Sequence, residues 1–302
     1  MKKKICFLLS LLIVLLLCLQ GAQGESTPLL YRVSDDAGNT VYLLGTIHIG
    51  EESMYPLSEA VEKAYQEAEI LAVEIDLVAL QKDPEKMLTY SMACLYGAGE
   101  SAKDAFSPET YALAIEKLGQ PEMLMNMMRP VMWVTLAQEQ SYARAGLSSE
   151  WGVDHYLLQR AHADGKTIVE LETLEEQTAT LLALPDSIAD YDLYQILSYP
   201  EASDISMKLL ATVWKQGNAN LFSLLLSQEE ASIPEEFRAE YAAYAEKMYT
   251  LRDAAFEKEA VSFLESGKCV LFAVGAAHIV GEDALVARLE AAGYQVEEIG
   301  HK

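Results

Sequence analysis

Leu43-Leu44-Gly45-Thr46-Ile47-His48 is an apolar, β-prone run that ends in a glycine and, three residues on, a histidine; Ala273-Val274-Gly275-Ala276-Ala277-His278 repeats that plan near the other end of the chain. Each histidine is followed by an apolar residue and soon by another glycine, in Ile49-Gly50 and in Ile279-Val280-Gly281. Both runs read as a strand, a Gly-x-x-His corner, then a helix. Ligand sites of α/β folds gather at the carboxyl ends of sheet strands, and glycine there permits a sharp turn or a close approach. Two imidazoles presented this way meet at one centre if their strands are neighbours. A lone strand-end histidine is usually a hydrogen-bonded structural residue. Two of five histidines in the same context shift the balance toward function.

Working outward from the first corner, residues 29–33 and 40–44 flank Asp35-Asp36-Ala37-Gly38-Asn39 and predict a β-hairpin. Met54, Leu57, Val61, Ala64, Tyr65 and Ala68 recur at a helical period over residues 53–69, with Ser53 as the cap. Residues 70–75 then predict a buried strand. A helical stretch follows over about 80–163, with Pro84, Pro108, Pro121 and Pro130 at helix starts or kinks. The methionine-rich run at 123–128 reads as adaptable core packing on a helix rather than as a cofactor-facing surface. A short strand at 167–171 separates it from a second helical stretch over about 174–266. The chain closes with a strand at 269–274, a helix at 283–292 ended by Gly293, and a strand at 294–299. Strands are few and lie early, in the middle and late, with helices filling the gaps. This predicts an α/β fold of α+β-like character: one mixed central sheet with large helical insertions, in a single domain over 25–302.

Lys2-Lys3-Lys4, an apolar run over 5–19 broken only by Ser10, and Gly21-Ala22-Gln23-Gly24 describe a secretory signal peptide over 1–24, cut after Ala22 or Gly24. The run is shorter than the ~20 residues that cross a bilayer comfortably; an uncleaved segment is the one membrane attachment expected. Export then means a secreted, periplasmic or cell-surface protein. The formal net charge of −24 argues against nucleic acid and anionic lipid as partners, since both need a cationic face. Past the signal only Cys94 and Cys269 remain, with no CxxC and no Cys/His zinc pattern. Nothing in the sequence brings the two within reach of each other.

A carboxylate is the natural third member of a two-histidine centre. Glu74, in Val73-Glu74-Ile75-Asp76-Leu77, is costly inside an apolar strand unless paired or metal-bound. Glu74 and Asp76 would share one strand face. Glu170 and Glu172 have the same strand-end character. Neutral imidazole with carboxylate suits a divalent metal and leaves room for an activated water. His155 and His162 read as surface or core-edge residues.

The paired Gly45-Thr46-Ile47-His48 and Gly275-Ala276-Ala277-His278 resemble the two GxxH signatures of the TraB/GumN family. Glu74-Ile75-Asp76-Leu77 resembles its acidic strand end, and Gly152-Val153-Asp154, Gly165-Lys166 and Leu171-Glu172-Thr173 its middle block. Gly281 through Gly293-Tyr294-Gln295-Val296 resembles its C-terminal block. The family is similar to the Tiki metal-dependent peptidases and, more distantly, to erythromycin-esterase and ChaN-like folds. The resemblance implies His48, His278 and Glu74 as metal ligands, with Glu74, Glu172 and Arg252 as catalytic groups. Arg252-Asp253 stands where the family often carries Arg-Asn, so the resemblance supports a role for Arg252 and none for Asp253.

The expected function is an exported, metal-dependent hydrolase using Mn, Co or Zn, with a peptide or small molecule as substrate. The alternative is a non-catalytic protein of the same type that binds metal, haem or a signal peptide. No HExxH, Gly-x-Ser-x-Gly or phosphate-loop pattern is present.

Overall fold

Strand β1 (Leu30–Ser34) and strand β2 (Thr40–Thr46) form the predicted hairpin, antiparallel from Leu30 opposite Leu44 to Ser34 opposite Thr40. The computed structural model describes residues 27–300, so the predicted signal segment lies outside the described residues. Asp35 closes the turn, its Oδ1 accepting from the Ala37 and Asn39 amides.

The next helix starts later than its period implies. Ser53 sits in a single 3-10 turn, Glu52–Met54, and α1 (Glu59–Glu67) begins after Ser58. Pro56 accounts for the delay: it lacks an N–H and drives the preceding residue out of the helical region, and Tyr55 is extended at φ −117, ψ 144. Strand β3 (Ile70–Val73), buried throughout, is also shorter than predicted.

Helices fill the two long connections. Between β3 and the next strand lie α2 (Leu77–Leu80), α3 (Pro84–Ala93), α4 (Pro108–Leu118), α5 (Glu122–Met127), α6 (Pro130–Ala145) and α7 (Val153–Asp164). Pro84, Pro108 and Pro130 open helices at their first positions and Pro121 caps α5, as a residue without an N–H should. After β4 (Thr167–Glu170) come α8 (Leu174–Leu181), α9 (Asp186–Ser198), α10 (Pro200–Lys215), α11 (Ala219–Ser232) and α12 (Arg238–Ala245). A π-helical turn, Glu246–Thr250, leads into α13 (Leu251–Ser266). Strand β5 (Val270–Gly275), α14 (Ala276–Ile279), α15 (Leu285–Ala291) and β6 (Gln295–Glu298) end the described chain.

The strands make one six-stranded mixed sheet in the order β4-β3-β5-β2-β1-β6. The first four run parallel, and β1 is antiparallel to both its neighbours. Strand β5, apolar from Val270 to Val274, is central and buried. It pairs with β2 on one side, Thr46 opposite Gly275, and with β3 on the other, Val73 opposite Ala273. The carboxyl ends of β2, β5 and β3 therefore emerge side by side.

The main core packs around the sheet, and a second, centred on Trp133, Phe106 and Leu193, joins α4, α6 and α9. The methionine run departs from its reading as core: Met125 is fully buried, but Met123 is 78% exposed and Leu124 and Met127 are also exposed. Helix α5 is too short to wrap a core and turns only one face inward. Among the described residues, Cys94 and Cys269 are free thiols, and no helix is long and apolar enough to cross a membrane.

Candidate functional site

The first corner is held by close approach. A Cβ on Gly45 would stand 3.1 Å from the Ala276 Cα, and the buried Trp214 indole donates to the Gly45 carbonyl at 2.7 Å. The Val153 amide donates to the Ile47 carbonyl at 2.9 Å, tying the corner to the start of α7. There Asp154, 14% exposed, accepts from Nδ1 of His48 at 3.0 Å, while the His48 ring is 69% exposed. No described residue bonds its Nε2. The Asp154 carboxylate raises the His48 pKa to about 9, with Glu74 adding to the rise and Arg252 opposing it.

Glu74 lies one residue beyond β3, against the start of the second corner. Its Oε1 accepts from the Gly275 amide at 2.7 Å, and a Cβ on Gly275 would lie 3.3 Å from that oxygen. Its Oε2 accepts from Arg252 at 2.7 Å and from Gln177 at 3.2 Å. Burial pushes this carboxyl up, but the positive charges of Arg252 and His48 and the Gly275 amide outweigh it and hold its pKa below the ordinary carboxylate range.

Asp76 does not share this role. Because β3 ends at Val73, the predicted strand alternation stops before either acid. Asp76 caps α2 by accepting from the Ala79 amide, and its other oxygen pairs with His162 Nε2 at 2.7 Å. Glu170 accepts from the Asp76 amide at 2.9 Å and braces the same cap. His155 Nδ1 lies 3.0 Å from the Glu150 carbonyl of the 3-10 turn that precedes α7.

His278 sits in the single turn of α14 and is 4% exposed. Its Nδ1 donates to Asp253 at 2.6 Å, and its Nε2 accepts from Arg252 Nη1 at 2.9 Å. Since Arg only donates, the ring is the neutral Nδ1–H tautomer. Phe256 and Tyr249 flank it at ring-centroid distances of 5.2 and 5.6 Å. Asp253, given no role by the resemblance, is 3% exposed and fixes this tautomer; the expectation is corrected.

Arg252 is the hub. Nε and Nη2 grip the two Glu172 oxygens at 2.6 and 2.7 Å, Nη2 also reaches Glu74, and Nη1 reaches His278 and, at 3.2 Å, the Met248 carbonyl. All five N–H donors of the guanidinium are thus engaged. The Met248 carbonyl is supplied by the π-helical turn, a local irregularity common at functional sites.

His48 offers an open Nε2 and Glu74 is ionised, but the Nε2 lone pair of His278 points at a guanidinium, and among the described residues no three His, Cys, Asp or Glu side chains cluster as metal donors. The set His48, Glu74 and His278 does not fit a shared divalent ion as it stands. The structure does unite Glu74, Glu172, Arg252 and His278 in one network. His48 neighbours that network, paired instead with Asp154. Asp154 was legible only as part of Gly152-Val153-Asp154; Gln177 and Trp214 carried no signal, being ordinary helix residues until the chain folds.

Fold and site together define an α/β protein with a histidine–carboxylate–arginine centre at the carboxyl edge of a mixed sheet. The chain belongs to the TraB/PrgY/gumN family, whose model matches residues 29–298. It is 32% identical over 149 residues to the uncharacterized protein YbaP of Escherichia coli (strain K12), covering 48% of this chain and 53% of that one. YbaP of Shigella flexneri matches equally. Similarity to Metalloprotease TIKI1 of Danio rerio is more distant and longer, 24% over 326 residues, covering 91% of this chain and 64% of that protein. The chain thus spans roughly half to two thirds of the length of these relatives. No solved structure matches it.

Proposed function

We propose that this chain is an exported hydrolase of peptide-type carbonyl bonds, working between His48 and Glu74 at the sheet edge. The observation that carries the reading is His48: its ring is exposed, anchored through Nδ1 by Asp154, and presents Nε2 outward beside an ionised buried carboxylate. The likeness to a protein named a metalloprotease supports peptide as the first substrate class. The metal dependence in that name is the part the Arg252 arrangement does not accommodate.

With a pKa of about 9, His48 carries a proton at neutral pH. In this reading Glu74 orients a water by accepting one of its hydrogen bonds, and the water gives its proton to bulk solvent as its oxygen bonds to the carbonyl carbon. His48 Nε2 donates its proton to the leaving nitrogen as the C–N bond breaks, and is reprotonated from solvent. Arg252, with all its donors engaged, positions Glu74 and His278 and does not itself touch substrate.

The test is a mixed peptide library incubated with purified protein and read by mass spectrometry. Wild type should cut, and His48→Ala and Glu74→Gln should each lose ~10²–10⁴-fold in rate, the usual worth of a general acid or of a positioned reactant. If no peptide is cut, or both variants keep the wild-type rate, the reading fails. Haem absorption in the purified protein would favour the non-catalytic alternative.

A further inference from the structure

His278 is oriented by the device that metal sites use: Nδ1–H on a carboxylate, Nε2 aimed at a cation. Here Asp253 supplies the carboxylate, and what lies 2.9 Å beyond Nε2 is Nη1 of Arg252. Glu172 and Glu74, the nearby acids, also close on the same guanidinium, at 2.6–2.7 Å. A first-row metal binds imidazole nitrogen at about 2.0–2.1 Å. Placed on the Nε2 lone pair, it would stand only about 1 Å from Nη1, where no atom fits. The guanidinium and a divalent ion exclude each other by volume as well as by charge.

We infer that Arg252 is the resident cation of this centre, and that Glu74, Glu172, His278 and Asp253 are built to hold a guanidinium rather than a divalent metal. The arrangement is closed on every side: Glu172 engages Arg252 bidentately, which suits a planar fork and not a point charge, and the Met248 carbonyl takes the remaining donor. Arg252 is 9% exposed, so the cation is sealed within the protein. The inference rests on this geometry alone and stands whether or not the hydrolase reading does.

The experiment is a Co2+ titration of the full chain, followed by visible absorbance and by metal content after dialysis. It compares wild type, His278→Ala, Arg252→Met and the double variant Arg252→Met/His278→Ala. Wild type and His278→Ala should take up Co2+ equally weakly. Arg252→Met, which frees two carboxylates and an imidazole, should bind it at least ~10-fold more tightly. The double variant should lose that gain. Stoichiometric Co2+ in wild type that His278→Ala removes overturns the inference, and so does an Arg252→Met variant that binds no better than wild type. Should Arg252→Met not fold, 15N NMR of the His278 ring in wild type decides. Nε2 should keep the shift of a hydrogen-bond acceptor when Zn2+ is added, and a Zn2+-dependent shift overturns the proposal. Absence of peptide cleavage together with weak wild-type Co2+ uptake overturns the hydrolase reading and sustains this inference.

Discussion

His48 and His278 stand at matched positions in their corners, yet one ring is 69% exposed on Asp154 while the other is sealed between Asp253 and Arg252. The difference comes from what each corner meets. Helix α7 delivers an acid to the first corner from the side and leaves Nε2 open; α13 delivers an acid and a guanidinium to the second and occupies both nitrogens. Because Asp154 is the main cause of the raised His48 pKa, Asp154→Asn should move it from about 9 toward the ordinary 6.5. NMR titration of the ring reads this directly. The sign follows for catalysis: a proton donor at His48 loses activity as pH rises through about 9 in wild type, and at lower pH in the variant. An unmoved alkaline limb would show that His48 is not the donor. At Arg252 the expected effect is on stability. Arg252→Ala strands two mostly buried carboxylates and should cost about 3–5 kcal/mol in urea unfolding.

At the scale of elements, the two corner glycines do different work. Beside Gly45 the obstacle is backbone, the Ala276 Cα at 3.1 Å, which cannot yield without shifting α14. Gly45→Ala should therefore destabilise by about 1–3 kcal/mol, as overpacking does. Beside Gly275 the obstacle is the Glu74 carboxylate at 3.3 Å, with the His278 ring at 3.6 Å. Gly275→Ala should leave the melting temperature nearly unchanged and lower turnover by about 10–100-fold, because a displaced reacting group is costly. Equal effects of the two substitutions on stability would contradict this division. The corners, the hairpin, the helix-opening prolines and the scattered strands were all legible, since each is written in local period and local residue type. Strand ends were not: β3 stops at Val73 because Asp76 caps a helix, and only that cap separates Glu74 from Asp76 in role.

For the whole molecule, the buried network couples stability to acid. Glu74 is held below its ordinary 4.5 by Arg252 and His48, so its contribution is present above 4.5 and lost as pH falls below it. Urea unfolding at neutral pH and through that acid range should show the loss, and Glu74→Gln should flatten it. A wild-type acid limb no steeper than that of the variant would show that the network does not hold Glu74 ionised.

Sequence alone determined the α/β class with its mixed sheet, the two Gly-x-x-His corners, and Glu74, Glu172 and Arg252 as residues to watch. The class, the corners, Glu74 and Glu172 follow from apolar runs, turn residues and the cost of a charge beside an apolar strand, all of which are local; Arg252 came from the family resemblance alone. Tertiary structure decided that β5 lies between β2 and β3, that α13 places Arg252 and Asp253 on His278, and that Asp154 belongs to His48. Those pairings join residues as far apart in the chain as Thr46 and Gly275. No local period encodes them; they exist only where three strand ends and two helix starts converge, and there a buried guanidinium must find its acids.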